Sequence, residues 1–83
     1  MAGDQRTLEA VLRGSGTVPF RDLEHLLGAL GFRHVRTSGS HRIYLHPRVN
    51  RPLSLQPVGK DAKRYQIRQI RDIIAEFGLN LEG

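Results

Sequence analysis

Two apolar helical stripes flanking a stretch of short alternating runs predict an α+β domain. The expected order is helix, three antiparallel strands and helix, with a short extra helix in front and both main helices on one face of the sheet. Three observations carry this. Leu23, Leu26, Leu27 and Leu30 repeat at i, i+3, i+4 and i+7. Residues 32 to 57 switch to period two between turn signals, and Ile67, Ile70, Ile74 and Phe77 then restore the helical period. Eighty-three residues make one small domain, 1–83, with an N-terminal helix and joint over 1–16 and a core over 19–79. A chain this short buries only about 60% of its unfolded surface, so its stability is modest.

Thr7 to Arg13 carries apolar residues at 8, 11 and 12, a brief helix that Gly14-Ser15-Gly16 ends as a flexible joint. Pro19 restarts the chain at a helix start, where its missing N–H costs nothing. Asp22 and Glu24 fall in the first turn, where the helix dipole favours acids. Gly31 stops this helix, and Phe32 folds back onto its last turn as in a Schellman ending. His25 lies off the leucine stripe and is expected to face solvent.

Phe32 to Thr37 reads as the first strand, with Val35 its expected core contact. His41 to His46 reads as the second: Ile43 and Leu45 share one face, Arg42, Tyr44 and His46 the other. His41 has the parity of Ile43 and Leu45, which threatens to bury it. Its position beside the glycine turn still allows the ring a place at the end of the sheet. Pro47 ends the pairing, and Arg48 to Arg51 form a basic turn. Pro52 to Pro57 alternates as a third strand with Leu53 and Leu55 inward. After the loop Gly59 to Lys63 comes the last helix, about 63–77, stopped by Gly78. Arg64, Arg68 and Arg71 line a face of it away from the isoleucines.

Net charge is +5 and the sequence pI is near 10.8. From Arg33 to Arg71 there are ten basic residues and a single acid, Asp61. Such a one-sided field favours a polyanion, most simply nucleic acid. The absence of cysteine excludes a disulfide framework and a thiolate metal site. No run approaches the length of a membrane span and no signal-peptide core is visible, so a cytoplasmic protein without membrane contact is expected.

The chemistry-bearing stretch is Arg36 to Pro47. Gly39 in Ser38-Gly39-Ser40 supplies a backbone able to take φ > 0 in a tight turn. His41 follows, flanked by the Ser40 hydroxyl and by Arg36 and Arg42. A histidine in a cationic hairpin suits proton transfer on a phosphodiester. A surface hairpin with an ordinary histidine is the bland alternative, and a non-catalytic RNA-binding module would need only the fold and the basic surface. His34, His41 and His46 lack a carboxylate or cysteine beside them, and no metal or other cofactor is expected.

The order helix, three strands, helix is that of double-stranded RNA-binding domains, which read A-form RNA by shape and phosphate contacts. More narrowly, Phe20 to Leu79 resembles the HicA (YcfA-like) toxins, small mRNA interferases of bacterial type II toxin–antitoxin pairs. The resemblance rests on Leu30-Gly31-Phe32, on Gly39-Ser40-His41, on His46-Pro47 and on the Arg-rich last helix through Gln69-Ile70-Arg71. It implies a metal-independent endoribonuclease acting on mRNA, with His41 as the residue needed for cleavage and a HicB-type antitoxin as partner. Ser40, Arg36, Arg42, Lys63, Arg64, Arg68 and Arg71 are then the expected phosphate contacts. Members often carry a second histidine after the first, where this chain has Arg42, and often a glycine before the last helix, where it has Lys63-Arg64. The helix before the glycine joint resembles a longer branch of the family.

Overall fold

A computed structural model of the chain describes residues 2–14 and 16–81. Its elements run α1 (Ala2–Arg13), α2 (Phe20–Ala29), β1 (Arg33–Ser38), β2 (His41–Leu45), β3 (Leu53–Leu55) and α3 (Arg64–Phe77). The strands form one antiparallel sheet in the order β1-β2-β3. This is the α+β arrangement expected for a double-stranded RNA-binding-domain-like fold. No described helix is long and apolar enough to cross a membrane.

The leucine stripe of α2 is buried along its whole length, from Leu23 to Leu30. Its end is a Schellman motif: Gly31 takes φ 103°, its N–H donates to the Gly28 carbonyl, and the Phe32 N–H donates to the Leu27 carbonyl at 2.9 Å. In α3 the buried face comprises Ile67, Ile70 and Ile74, joined by Ile73 and Gln66. The Gln66 Nε2 donates to the Gln56 carbonyl at 2.9 Å, which ties the first turn of α3 to the end of β3, while its Oε1 is buried without a partner among the described residues.

Helix α1 is longer than Thr7–Arg13 and uses a different stripe. Val11 is fully buried and Leu8 half-buried, whereas Leu12 is 49% exposed. Thr7 takes the buried place one turn earlier and satisfies its hydroxyl on the Gly3 carbonyl at 2.9 Å. The helix rests on α2 and α3. Gly14, at φ 68°, ends it beneath the Arg71 guanidinium; Ser15 of the expected joint lies outside the described residues.

The sheet corrects two expectations. Val35 is 42% exposed and is not a core contact. A β-bulge between His34 and Arg36 gives β1 an extra residue there, and Phe32, just before the strand, fills the core instead. The parity of β2 is also the reverse of the apolar reading. Tyr44 and His46 are buried, while Leu45 is 47% exposed and Ile43 only half-buried. Tyr44 pairs with Leu53 and Arg42 with Leu55, so these residues share the face that carries the core and both main helices. Ile43 pairs with Ser54 on the opposite, uncovered face. The polar tips of Tyr44 and His46 are affordable inside because partners wait for them on α2 and at its end.

Candidate functional site

The β1–β2 connection is a two-residue loop, since Ser38 pairs directly with His41. Gly39 takes φ 62° at the first loop position, and Ser40 keeps a negative φ, the pattern of a type II′ hairpin turn. Its twist matches that of the strands, so the loop holds His41 at the first position of β2. Arg42 faces the core, so alternation sends His41 to the open face of the sheet, where it is exposed. The feared burial of His41 rested on Ile43 and Leu45 facing inward, and they do not.

Arg36 joins it there. The bulge changes the parity of β1 between His34 and Arg36, and Arg36 pairs with Ile43, the neighbour of His41 on the same face. Ser38 stands opposite His41, and Ser40 is exposed in the turn. Lys63 and Arg64 lie at the same end of the sheet, because the Gln66–Gln56 hydrogen bond fixes the start of α3 one residue beyond the Arg42–Leu55 pair. Both are exposed, with the Lys63 ammonium 5.8 Å from the Tyr65 ring centroid. Arg68 is exposed further along α3. Arg71 is more confined, packed against Gly14 and 3.3 Å from Asp72.

Arg42, expected beside His41 as a phosphate contact, points the other way. Its guanidinium lies 2.6 Å from Glu24 Oε2 and 5.3 Å from the centroid of the Phe20 ring. The Tyr44 hydroxyl donates to the same carboxylate oxygen. Burial pushes the Glu24 carboxyl up, but the hydrogen bonds from Tyr44 and Arg42 and the Arg42 charge outweigh it and hold its pKa below the ordinary value. Burial, then the bond to Glu24, raises Tyr44 strongly. A phenol so held is a donor and not a base. The sequence hides this cluster: Glu24 reads there only as a first-turn acid, and the signal is its position between Leu23 and the rest of the buried stripe.

The other histidines are occupied. His46 is buried: its Nε2–H donates to the Leu30 carbonyl at 2.9 Å, its Nδ1 accepts from the Arg48 N–H at 3.0 Å, and Phe32 packs edge-on at 4.9 Å. His34 is 3.0 Å from the Thr37 hydroxyl, and His25 is 2.7 Å from Asp4, an exposed contact joining α2 to α1. Among the described residues His41 alone of the four makes no side-chain hydrogen bond. Several arginines are similarly committed, Arg48 to the Phe77 carbonyl and Arg51 to Glu76. Within the stretch from Arg33 to Arg71, the positive charge that makes no hydrogen bond or ion pair among the described residues lies on Arg33, Arg36, Lys60, Lys63, Arg64 and Arg68.

A family model described as the HicA toxin of bacterial toxin–antitoxin systems matches residues 20–79, from the first residue of α2 to just past α3. The chain belongs to the HicA toxin family. It is thus a toxin of a toxin–antitoxin system, and its family implies an antitoxin partner. No curated protein and no solved structure matches the chain. Two stretches that carry the HicA resemblance, Leu30-Gly31-Phe32 and His46-Pro47, turn out to be one contact. The His46 ring is held by the Leu30 carbonyl and lies against Phe32, and it comes so near Gly31 that a Cβ there would be 2.8 Å from Nε2. The HicA match begins after α1.

Proposed function

We propose that this HicA-family toxin is a metal-independent endoribonuclease that cleaves mRNA and so arrests translation and growth, with His41 as its general acid–base group. The observation that carries the reading is that His41 stands exposed on the open sheet face while the other three histidines are engaged in the fold. RNA supplies its own nucleophile. His41 takes the proton of a 2′-hydroxyl, the 2′-oxygen bonds to phosphorus, and the bond from phosphorus to the 5′-oxygen breaks. The leaving oxygen then takes up a proton, and the products end in a 2′,3′-cyclic phosphate and a 5′-hydroxyl. One positioned proton-transfer group contributes typically 10²–10⁴-fold in rate. Arg36, on the same face, stabilises charge developing on the phosphate. Ser40 contacts the phosphate from the turn, and Lys63, Arg64 and Arg68 hold the flanking backbone. Arg71, being packed, contributes less, and Arg42 serves β2 through Glu24.

A HicB-type antitoxin would neutralise the toxin by covering the His41 hairpin and part of the basic surface. Complementary charge speeds such an encounter at low salt. The test of the enzyme reading is incubation of the purified chain with single-stranded RNA in excess chelator, followed by end analysis of the products. Cleavage with cyclic phosphate ends is expected. A requirement for a divalent ion, or binding with no cleavage, would replace the ribonuclease by a metal enzyme or by a binding module.

A further inference from the structure

The open face of the sheet carries apolar surface that the core does not use. Val35 is 42% and Leu45 47% exposed, and with Pro47 and Pro52 they line a groove of about 540 Å³ that also includes Arg33 and Asn50. That volume falls within the range of pockets that hold small organic groups. No acidic residue lines it. Leu45 is four residue steps along β2 from His41, about 13 Å at strand spacing. The groove lies at the end of the sheet away from His41, with Gly31 and His46 closing its inner side, and its Val35 and Leu45 wall continues into the open face that carries His41.

The bulge in β1 ties them together. In a regular strand Arg33 and Arg36 would point to opposite faces. Here Arg33 pairs with Leu45 and Arg36 with Ile43, a step of three residues on β1 against two on β2, so both guanidinium groups reach the open face. Neither has an acidic partner within salt-bridge distance among the described residues. The result is a row of two cations beside an apolar groove, ending at His41. A nucleic-acid strand has that chemistry: phosphates at intervals, flat apolar bases, and base edges that an amide can read.

We infer that the groove between Val35 and Leu45 is a nucleobase subsite, occupied by a base of single-stranded RNA a nucleotide or two from the phosphate at His41, with Arg33 and Arg36 on the intervening backbone. The base packs on the two aliphatic side chains, and the Asn50 amide, whose Oδ1 accepts from the Arg51 guanidinium at 3.4 Å, offers the base edge its NH₂ donor group. The inference rests on the ribonuclease reading for the direction of the strand towards His41, but the groove is tested separately, by binding. A duplex would keep its bases stacked and could not fill it.

The experiment uses the His41→Ala chain, which retains the groove, and a labelled single-stranded RNA octamer. The same octamer is made with one abasic position moved along its length. One abasic position should weaken binding about tenfold, the scale of burying about 55 Å² of apolar surface against the two aliphatic side chains. Val35→Ser with Leu45→Ser should weaken the intact octamer by the same factor and remove the penalty at that position, with an unchanged melting temperature. Leu12→Ser, an equally exposed apolar residue on α1, is the control and should have no effect. Unchanged RNA binding by the double variant would overturn the inference. So would a loss confined to antitoxin capture, which would give the groove to the protein partner. Cleavage by the wild-type chain decides the ribonuclease reading independently of both results.

Discussion

Gly31→Ala should cost this small domain a large part of its stability, because two separate effects coincide at one methyl group. The first is backbone: φ is 103° at Gly31, a region that L-residues avoid, and occupying such regions costs about 1–3 kcal/mol. The second is space. The new Cβ would be 2.8 Å from His46 Nε2 and 3.2 Å from Cδ2. The ring has little room to retreat, since both nitrogens are hydrogen-bonded and Phe32 packs against it. Displacing it forfeits at least one hydrogen bond, about 0.5–1.5 kcal/mol. The total is about 1.5–4.5 kcal/mol, which lowers the melting temperature of a domain this size by about 6–36 °C. Urea denaturation followed by circular dichroism measures it. The double variant with His46→Ala separates the two effects, because removing the ring relieves the steric part and leaves the backbone part. A Gly31→Ala chain as stable as wild type would mean that neither the backbone nor the His46 ring resists a methyl group there, and a double variant whose losses simply add would remove the steric contact with His46.

Glu24→Gln should destabilise by about 1–2 kcal/mol, a value reduced for the partial exposure of Arg42, because Arg42 and Tyr44 lose a charged acceptor. As the folded pKa of Glu24 lies below its unfolded value, its contribution is complete above about pH 4.3 and disappears as pH falls through the folded value. The urea midpoint of wild type should therefore drop on acidification more steeply than that of Glu24→Gln; parallel curves would count against the cluster. Arg64→Ala with Arg68→Ala should weaken RNA binding to a similar degree for all sequences and flatten the logarithmic salt dependence by about 1.4, two single-strand phosphate contacts' worth. Adding Arg71→Ala should change the slope little, since that side chain is packed on Gly14 and beside Asp72. An unchanged slope in the double variant would mean that this face of α3 is merely solvated.

Much of the fold is legible in the sequence because local and tertiary preferences agree there. The α2 stripe, its Gly31-Phe32 ending, the inward Leu53 and Leu55 and the isoleucines of α3 all follow from period and punctuation alone. The sequence misleads where a partner from elsewhere in the chain decides. In His41-Arg42-Ile43-Tyr44-Leu45-His46 both alternating sets are amphipathic enough to face inward. Glu24 and the Leu30 carbonyl, supplied by α2 and its end, select Tyr44 and His46. No strand pattern contains that information. The bulge that turns Val35 outward and brings Arg36 round to His41 has no glycine to announce it. At the site, the Gly39-Ser40-His41 turn is visible as a motif, but the face on which His41 lies follows only from the pairing of β2. The commitment of Arg42 to Glu24 is equally invisible until the helix lies over the sheet.

His41→Ala, read for cleavage, binding and stability on one preparation, tests the role of the histidine itself. His41 is exposed on the uncovered face of the sheet and makes no side-chain hydrogen bond among the described residues. Its truncation should therefore change stability by no more than about 0.5 kcal/mol, the ordinary range for a surface position. RNA affinity should also hold, because the arginines carry it. The expected protein is folded, binds RNA, and neither cleaves it nor arrests growth. A folded His41→Ala chain that still cut RNA at the wild-type rate would show that His41 is not the proton-transfer group.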